Sequence, residues 1–271
     1  MTMYEKFLQS YTGGGMAYEI LTEKRLNNEK ALERYGFKVY SQNDEDGIIE
    51  EIFNRIGTTN KIFVEFGVQN GLECNSHYLL HKGWSGLWLE GNEDFCKEIA
   101  VRFAPVLKNG QLKVGNAFIT KDNINFLIEK CGITGEIDLL SVDIDGNDWH
   151  VWKAINVVQP RAVIIEYNAK FPPNYAWIMP YNEKHIWDGS DCQGASLKAL
   201  ELLGTELGYQ LVGTNLNGVN AFFVKQELAK HLFVEPATAE MLYNPFRFIA
   251  GQRYNNGHPS AYFLANHLTN L

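Results

Sequence analysis

Lys61–Asn92 reads KIFVEFGVQNGLECNSHYLLHKGWSGLWLEGN, and the order of residue types in it sets the architecture. Ile62, Phe63, Val64 and Phe66 make a short apolar strand. Gly67 and Gly71 follow, and glycine lets the backbone turn tightly and approach a ligand closely. After a helix-length stretch, Leu87, Trp88 and Leu89 form a second apolar strand that carries Glu90 to its carboxyl end. Glu90 lies 23 residues after Gly67. That is close to the spacing at which a carboxylate grips ribose hydroxyls in a β-α-β unit. The stretch therefore reads as a site for a cofactor that carries an adenosine.

The glycine pattern narrows the choice of cofactor. A dinucleotide turn uses three glycines so that a pyrophosphate can sit on the helix N-terminus. Here the turn is G-x-x-x-G, with Glu65 before it, Asn70 inside it and no third glycine. Glu65 would repel a pyrophosphate but suits the ammonium group of S-adenosylmethionine (SAM). The plainer alternative is that Gly67 and Gly71 only shape a strand-helix turn, since a fold-level pattern does not establish function.

Working outward, Asn92 is placed to cap a helix whose Phe95, Ile99 and Phe103 face the sheet. Leu112–Gly115 is a short strand, and Asp122 is placed to cap a helix carrying Ile124, Leu127 and Ile128. Ile137–Val142 is an apolar strand running into Asp143-Ile-Asp145-Gly-Asn-Asp148, and Ala162–Ile165 is another, ending on Glu166. Strands alternating with helices predict a parallel sheet with ligands at the strands' carboxyl ends. Then the pattern changes. A helix over Ser196–Gly208 precedes two strands, Tyr209–Thr214 and Ala221–Val224, whose connection around Asn215-Leu-Asn-Gly218 is short enough for a hairpin. The expected fold is a doubly wound α/β sheet of the class I methyltransferase kind, mostly parallel with a terminal antiparallel hairpin.

At 271 residues and 45% hydrophobic, the chain holds one such domain with additions. We expect an N-terminal helical cap or homo-oligomer contact over residues 1–40, a SAM-binding core over 41–225, and an extension packed on the core over 226–271. A net charge of −8 argues against nucleic acid or an anionic membrane as the main partner. Cys74, Cys96, Cys131 and Cys192 are scattered without disulfide or CxxC spacing. The N-terminus lacks a signal-peptide pattern, and no apolar run approaches the roughly 20 residues that cross a bilayer. A cytoplasmic setting is the expectation.

Several motifs together resemble the FkbM-type SAM-dependent methyltransferases. They are Ser41-Gln-Asn-Asp-Glu-Asp-Gly47, the Val64–Gly71 turn, Ser141-Val-Asp-Ile-Asp-Gly-Asn-Asp148 and Ile165-Glu-Tyr-Asn168. Asp191-Cys-Gln-Gly-Ala-Ser-Leu197 and Gly218-Val-Asn-Ala-Phe-Phe223 extend the likeness over about residues 40–225. The family's fourth strand usually ends Asp-Val-Glu-Gly. Here it ends Asp143-Ile-Asp-Gly146, which keeps the acid but shortens it. The resemblance implies O-methylation of a sugar hydroxyl, on a nucleotide-activated sugar or a glycan intermediate. A NAD-dependent nucleotide-sugar oxidoreductase and a non-catalytic SAM-binding module are the alternatives.

In that framework Glu65, Gly67 and Gly71 line the methionine end of SAM and Glu90 its ribose. Asn116 and Ala117 meet the adenine edge, and Asp143 lies beside the methyl sulfonium. Gln42 belongs to an acidic segment that either closes over SAM or caps a helix starting at Ile48. Methyl transfer needs positioning and a way to deprotonate the acceptor hydroxyl. Asp143, Asp145 and His150 are the candidate catalytic groups. Asp143, Glu166 and Asn168 are oxygen donors suited to Mg²⁺ or Mn²⁺, in a position that metal ligands occupy in catechol-type and some macrolide-sugar methyltransferases. The competing reading makes Asp145-Gly-Asn-Asp148 only a turn and helix cap. Tyr181, His185 and Trp187 lie in the aromatic segment 168–193, which either walls the acceptor or simply covers the sheet. His77 and His81 are read as packing or solvent residues.

Overall fold

The computed structural model describes residues 23–247. Seven strands form one sheet in the order β3-β2-β1-β4-β5-β7-β6. They are β1 (Ile62–Phe66), β2 (Ser85–Glu90), β3 (Leu112–Asn116), β4 (Gly135–Val142), β5 (Val158–Glu166), β6 (Tyr209–Thr214) and β7 (Asn220–Lys225). The first five are parallel, while β7 runs antiparallel to both β5 and β6. This is the expected class I methyltransferase fold, with the last two strands among the described residues forming a hairpin.

Strand alternation gives the sheet two apolar faces. Val64, Phe66, Leu140, Val142, Val163, Ile165, Ala221 and Phe223 belong to one core cluster. It is covered by α5 (Ile124–Lys130), α6 (Asp148–Ala154) and α7 (Leu197–Glu206). Phe63, Trp88, Leu139, Ile164, Phe222 and Val224 belong to the other. That face carries α1 (Glu45–Ile56), α2 (His77–His81), α3 (Glu93–Arg102) and α4 (Ala104–Lys108). Side chains alternate along a strand, so Glu65, Asp143, Glu166 and Asn220 share the α1 face.

The caps hold in part. Asn92 accepts from the Asp94 amide at 2.8 Å, and Ser196 accepts from the Ala199 amide at 3.3 Å. Asp122 is not the cap of α5; Asn123 holds that position and exchanges bonds with Thr120. Residues 23–40 pack against the core through Leu26 and Leu32, and the segment after β7 through Phe233, Val234, Ala239 and Leu242. Residues 1–22 of the expected N-terminal cap or homo-oligomer contact and residues 248–271 of the expected extension lie outside the described residues. No described helix is long and apolar enough to cross a membrane.

Candidate active site

The carboxyl ends of β1, β2, β4 and β5 meet at one edge of the sheet. At β1, Gly67 takes a positive φ of 69°, and a Cβ there would run into the Asp143 carbonyl. Gly71, at φ 77°, would place a Cβ 2.6 Å from the Trp88 ring. Both glycines were expected to make room for a ligand. Each instead admits a neighbouring part of the protein, so the turn is shaped first by packing.

Glu65 is buried and held by the protein itself. Its carboxylate accepts from the Asn75 amide at 2.8 Å, the Ser76 amide at 2.9 Å, the Ser76 hydroxyl and the Ser141 hydroxyl. Burial raises its carboxyl above the usual value, and those four donors work against the rise. It therefore anchors the loop before α2 rather than presenting a free carboxylate to an ammonium group. Glu90 differs. One oxygen accepts from the Gln69 amide at 2.8 Å and the other from the Asn92 amide at 2.8 Å. Each oxygen of an ionised carboxylate has two acceptor positions, so one remains on each, as a vicinal diol requires.

At β3, Asn116 is exposed and donates to the Glu90 carbonyl at 3.0 Å, and the Ala117 amide donates to the same oxygen at 3.0 Å. Beyond them opens a groove of about 580 Å³ lined by Phe118, Thr120, Asp122, Asn123, Lys184 and Ile186. That volume falls within the usual range for small-molecule sites, roughly 300–1,000 Å³. Gln42 is exposed, and its carbonyl accepts from Lys38. Of the gate and the helix cap, the second is the one seen, with Asp44 at the N-cap position of α1. α1 begins at Glu45, not Ile48, and Asp44, Glu45 and Asp46 all turn inward. Asp46 binds the amides of Val39, Tyr40 and Ser41 at 2.6–2.9 Å.

The acidic turn after β4 is the densest part of the site. Carboxylate oxygens of Asp143, Asp145 and Glu166 lie within 4.8 Å of one another. Burial, then the charges of Asp145, Asp148, Glu65 and Glu45, pushes the Asp143 carboxyl well above the usual range. Burial, then Asp143, Asp145 and Asp148, does the same to Glu166. Asp145 is raised by burial, with His185 opposing. No lysine or arginine among the described residues forms an ion pair with these three. At the opposite end of the sheet, buried Asp138 has the amides of Thr59, Asn60 and Lys61 together with Arg161. Acids left without such partners demand a cation or shared protons.

Asp148 shapes this turn. It accepts from the Ile144 and Gly146 amides, both at 2.8 Å, which holds Asp145 in the left-handed region at φ 54°. Burial raises the Asp148 carboxyl to about 6. It is the first residue of α6 and folds the turn behind it, whereas the cap position belongs to Asn147. The turn therefore presents a carboxylate cluster as well as starting a helix.

The remaining candidates fall elsewhere. Asn168, expected as a third ligand, is held by the segment that follows it. Its amide donates to the Asp191 and Gln193 carbonyls at 2.7 and 3.1 Å, and its oxygen accepts from Lys170 at 3.2 Å. Asp145 lies with Asp143 and Glu166 in the carboxylate cluster. His150 Nε2 lies 2.8 Å from the Met179 carbonyl. A carbonyl only accepts, so Nε2 carries the hydrogen, and in the neutral ring the basic lone pair is then on Nδ1. His185 Nε2 lies 3.0 Å from the Asp145 carbonyl, and its ring fills the space a side chain at Gly146 would need. It braces the acidic turn. Tyr181 packs near His150 under the Lys121 ammonium, 4.5 Å from the ring centre. Trp187 is 41% exposed and ties its ring nitrogen to the Ser190 carbonyl.

Asn215 and Asn220 at the β6–β7 hairpin, with Glu45, are site neighbours to which the sequence assigned no individual role, although Glu45 and Asn220 lie within the FkbM-like motifs Ser41–Gly47 and Gly218–Phe223. Three asparagines in the six residues Asn215–Asn220 were the available signal.

No protein-family model matches the chain, and no curated protein matches it. Among solved structures, the chain is similar to an O-methyltransferase from Bacillus cereus in complex with SAH, at 14% identity and a TM-score of 0.46. That match covers 82% of this chain and 96% of the other. It is also similar to the N-terminal domain of EvdMO1 with SAH bound, at 13% identity and a TM-score of 0.41, covering 78% and 98%. Likenesses this distant say nothing of the site, whose reading rests on its own geometry.

Proposed function

We propose that this chain is a SAM-dependent O-methyltransferase of the FkbM kind, acting on a sugar hydroxyl of a nucleotide-activated sugar or glycan intermediate. The observation that carries the reading is the Asp143–Asp145–Glu166 cluster, set at the ends of β4 and β5 beside the β1–β2 cofactor turn. Glu90 is the residue that would hold the SAM ribose, with the Asn116–Ala117 strand end beside the adenine. SAM supplies an electrophilic methyl group.

Three carboxylates without a lysine or arginine ion pair fit Mg²⁺ or Mn²⁺, both of which favour oxygen donors. Asp143, Asp145 and Glu166 would hold the ion, which acidifies a bound hydroxyl. The protein's own part is orientation. Asp148 fixes the turn, His185 braces it, and the segment 168–193 closes over it through Asn147–Asn182 hydrogen bonds, with the next residue, Gly194, donating to the Gly146 carbonyl. Phe118 and Ile186, both exposed on the nearby groove, offer apolar surface to a sugar ring or base.

Thermal shift with SAM, SAH, NAD and NADP tests the cofactor, because a ligand that binds the native state raises the midpoint. A rise with NAD and none with SAM would overturn the reading. A panel of nucleotide sugars with SAM, read by a one-methylene mass gain, then tests the acceptor. Asp143→Asn is expected to lower kcat by at least about 10²-fold. EDTA should abolish turnover and Mg²⁺ or Mn²⁺ should restore it. Full turnover after exhaustive chelation would remove the metal from the scheme.

A further inference from the structure

We infer that Asn220 supplies a fourth oxygen to the divalent-cation site, its amide held in the required orientation by Glu45. This rests on the metal reading above and adds to it a residue from β7. Asn220 pairs with Glu166 across the antiparallel β5–β7 ladder. Directly opposed residues share a face, with Cβ atoms roughly 4.5–5.5 Å apart. Asn220 is 3% exposed, so its side chain is committed to the interior beside that acid.

The amide's orientation is determined by Glu45. One Glu45 oxygen accepts from Asn215 Nδ2 and Asn220 Nδ2, both at 2.9 Å, and the other accepts from the Asn43 amide at 2.7 Å. A carboxylate used in this way offers only acceptors. Asn220 must therefore turn its nitrogen to Glu45 and its oxygen away. That oxygen has no hydrogen-bond partner in the structure, although it is buried. Nearly all buried polar atoms in folded proteins are paired. Here the vacant oxygen lies on the sheet face that carries Glu166 and Asp143. A side-chain carbonyl beside carboxylates is a donor type that Mg²⁺, Mn²⁺ and Ca²⁺ all accept.

The test is Mn²⁺ binding to the full-length, metal-stripped protein, read as free Mn²⁺ by electron paramagnetic resonance, without substrate or turnover. Asn220→Ala should weaken Mn²⁺ binding roughly 10-fold or more, the range for losing a supporting group around a metal. Asn220→Asp, which keeps an oxygen, should retain binding. Asn220→Leu keeps the volume without the oxygen, and should behave like the alanine variant if that one folds poorly. Metal-free melting temperatures are measured alongside, because a purely structural role would lower them and leave Mn²⁺ affinity unchanged. Wild-type affinity in the alanine or leucine variant, with loss in Asp143→Asn, overturns the inference and leaves the metal reading standing. No Mn²⁺ binding by the wild-type protein overturns both.

Discussion

Glu65 and Glu90 stand at the ends of adjacent strands, yet the structure uses them differently. Glu65 has four donors from Asn75, Ser76 and Ser141 and is saturated. Glu90 has one backbone donor on each oxygen and keeps an acceptor position on each. Glu90→Ala should therefore weaken SAM binding by roughly 1.5–3 kcal/mol, the range for losing a charged hydrogen-bond partner. Isothermal titration giving an unchanged Kd would refute that role. Glu65→Gln should instead act mainly on stability, since it swaps an acceptor for a donor facing the Asn75 and Ser76 amides. The strand-end positions of both acids were legible from the apolar runs before them. The destination of the Glu65 carboxylate was not, because its donors sit in an irregular loop that no periodicity marks. Gly67 teaches the same lesson. Its turn was readable, but the Asp143 carbonyl it accommodates comes from another strand. Gly67→Ala should cost about 2 kcal/mol or more in urea denaturation, from the left-handed backbone and the clash together.

Among the elements, the segment 168–193 departs most from what pattern reading supplies. Strands announce themselves by apolar runs and helices by a period of 3.6 residues, and each of the seven described strands contains the run that marked it, although β5 begins at Val158, four residues before Ala162. The segment has no period, only an aromatic load, and the structure shows two uses for it. Phe171, Trp177 and Met179 form a small core, with the Phe171 and Trp177 rings stacked 4.4 Å apart. Trp187 stands outside that core, partly exposed. The two should respond differently to truncation. Phe171→Ala should loosen the whole segment and lower the melting temperature. Trp187→Ala should leave stability within about 0.5 kcal/mol, as surface changes usually do, while raising the acceptor KM with SAM affinity intact. Equal losses of both ligands in Trp187→Ala would withdraw the acceptor role. The start of α1 was also misplaced, because Asp44, Glu45 and Asp46 look solvated in sequence and are buried in the fold. Asn215, Leu216 and Asn220, which bond to Asp44 and Glu45, lie far along the chain, beyond the reach of local reading.

At the scale of the whole molecule, the described residues gather several buried acids at one edge of the sheet, and this governs how stability depends on pH. Asp143, Asp145 and Glu166 are raised above the ordinary carboxylate range by burial and mutual repulsion. Asp148 is raised to about 6, and Asp44, buried beside Glu45, to about 8. An unfolded aspartate titrates near 4. Between about pH 4 and 8 the folded chain therefore binds more protons at these positions than the unfolded chain does. Stability falls with rising pH wherever the native state holds the excess protons. The contribution of these groups is thus fully present below about pH 4 and is lost progressively as pH climbs through 6 and 8. A bound divalent cation reverses the sign for the carboxylates it touches, since the ligands must be deprotonated to hold it. The metal-free protein should melt at a lower temperature at pH 8 than at pH 6. The increase in melting temperature on adding Mn²⁺ should be larger at pH 8 than at pH 6. Differential scanning fluorimetry across that range, with and without Mn²⁺, measures both slopes. In Asp143→Asn the Mn²⁺-dependent increase should vanish at every pH. An increase that is independent of pH in the wild-type protein would place the ion away from these acids.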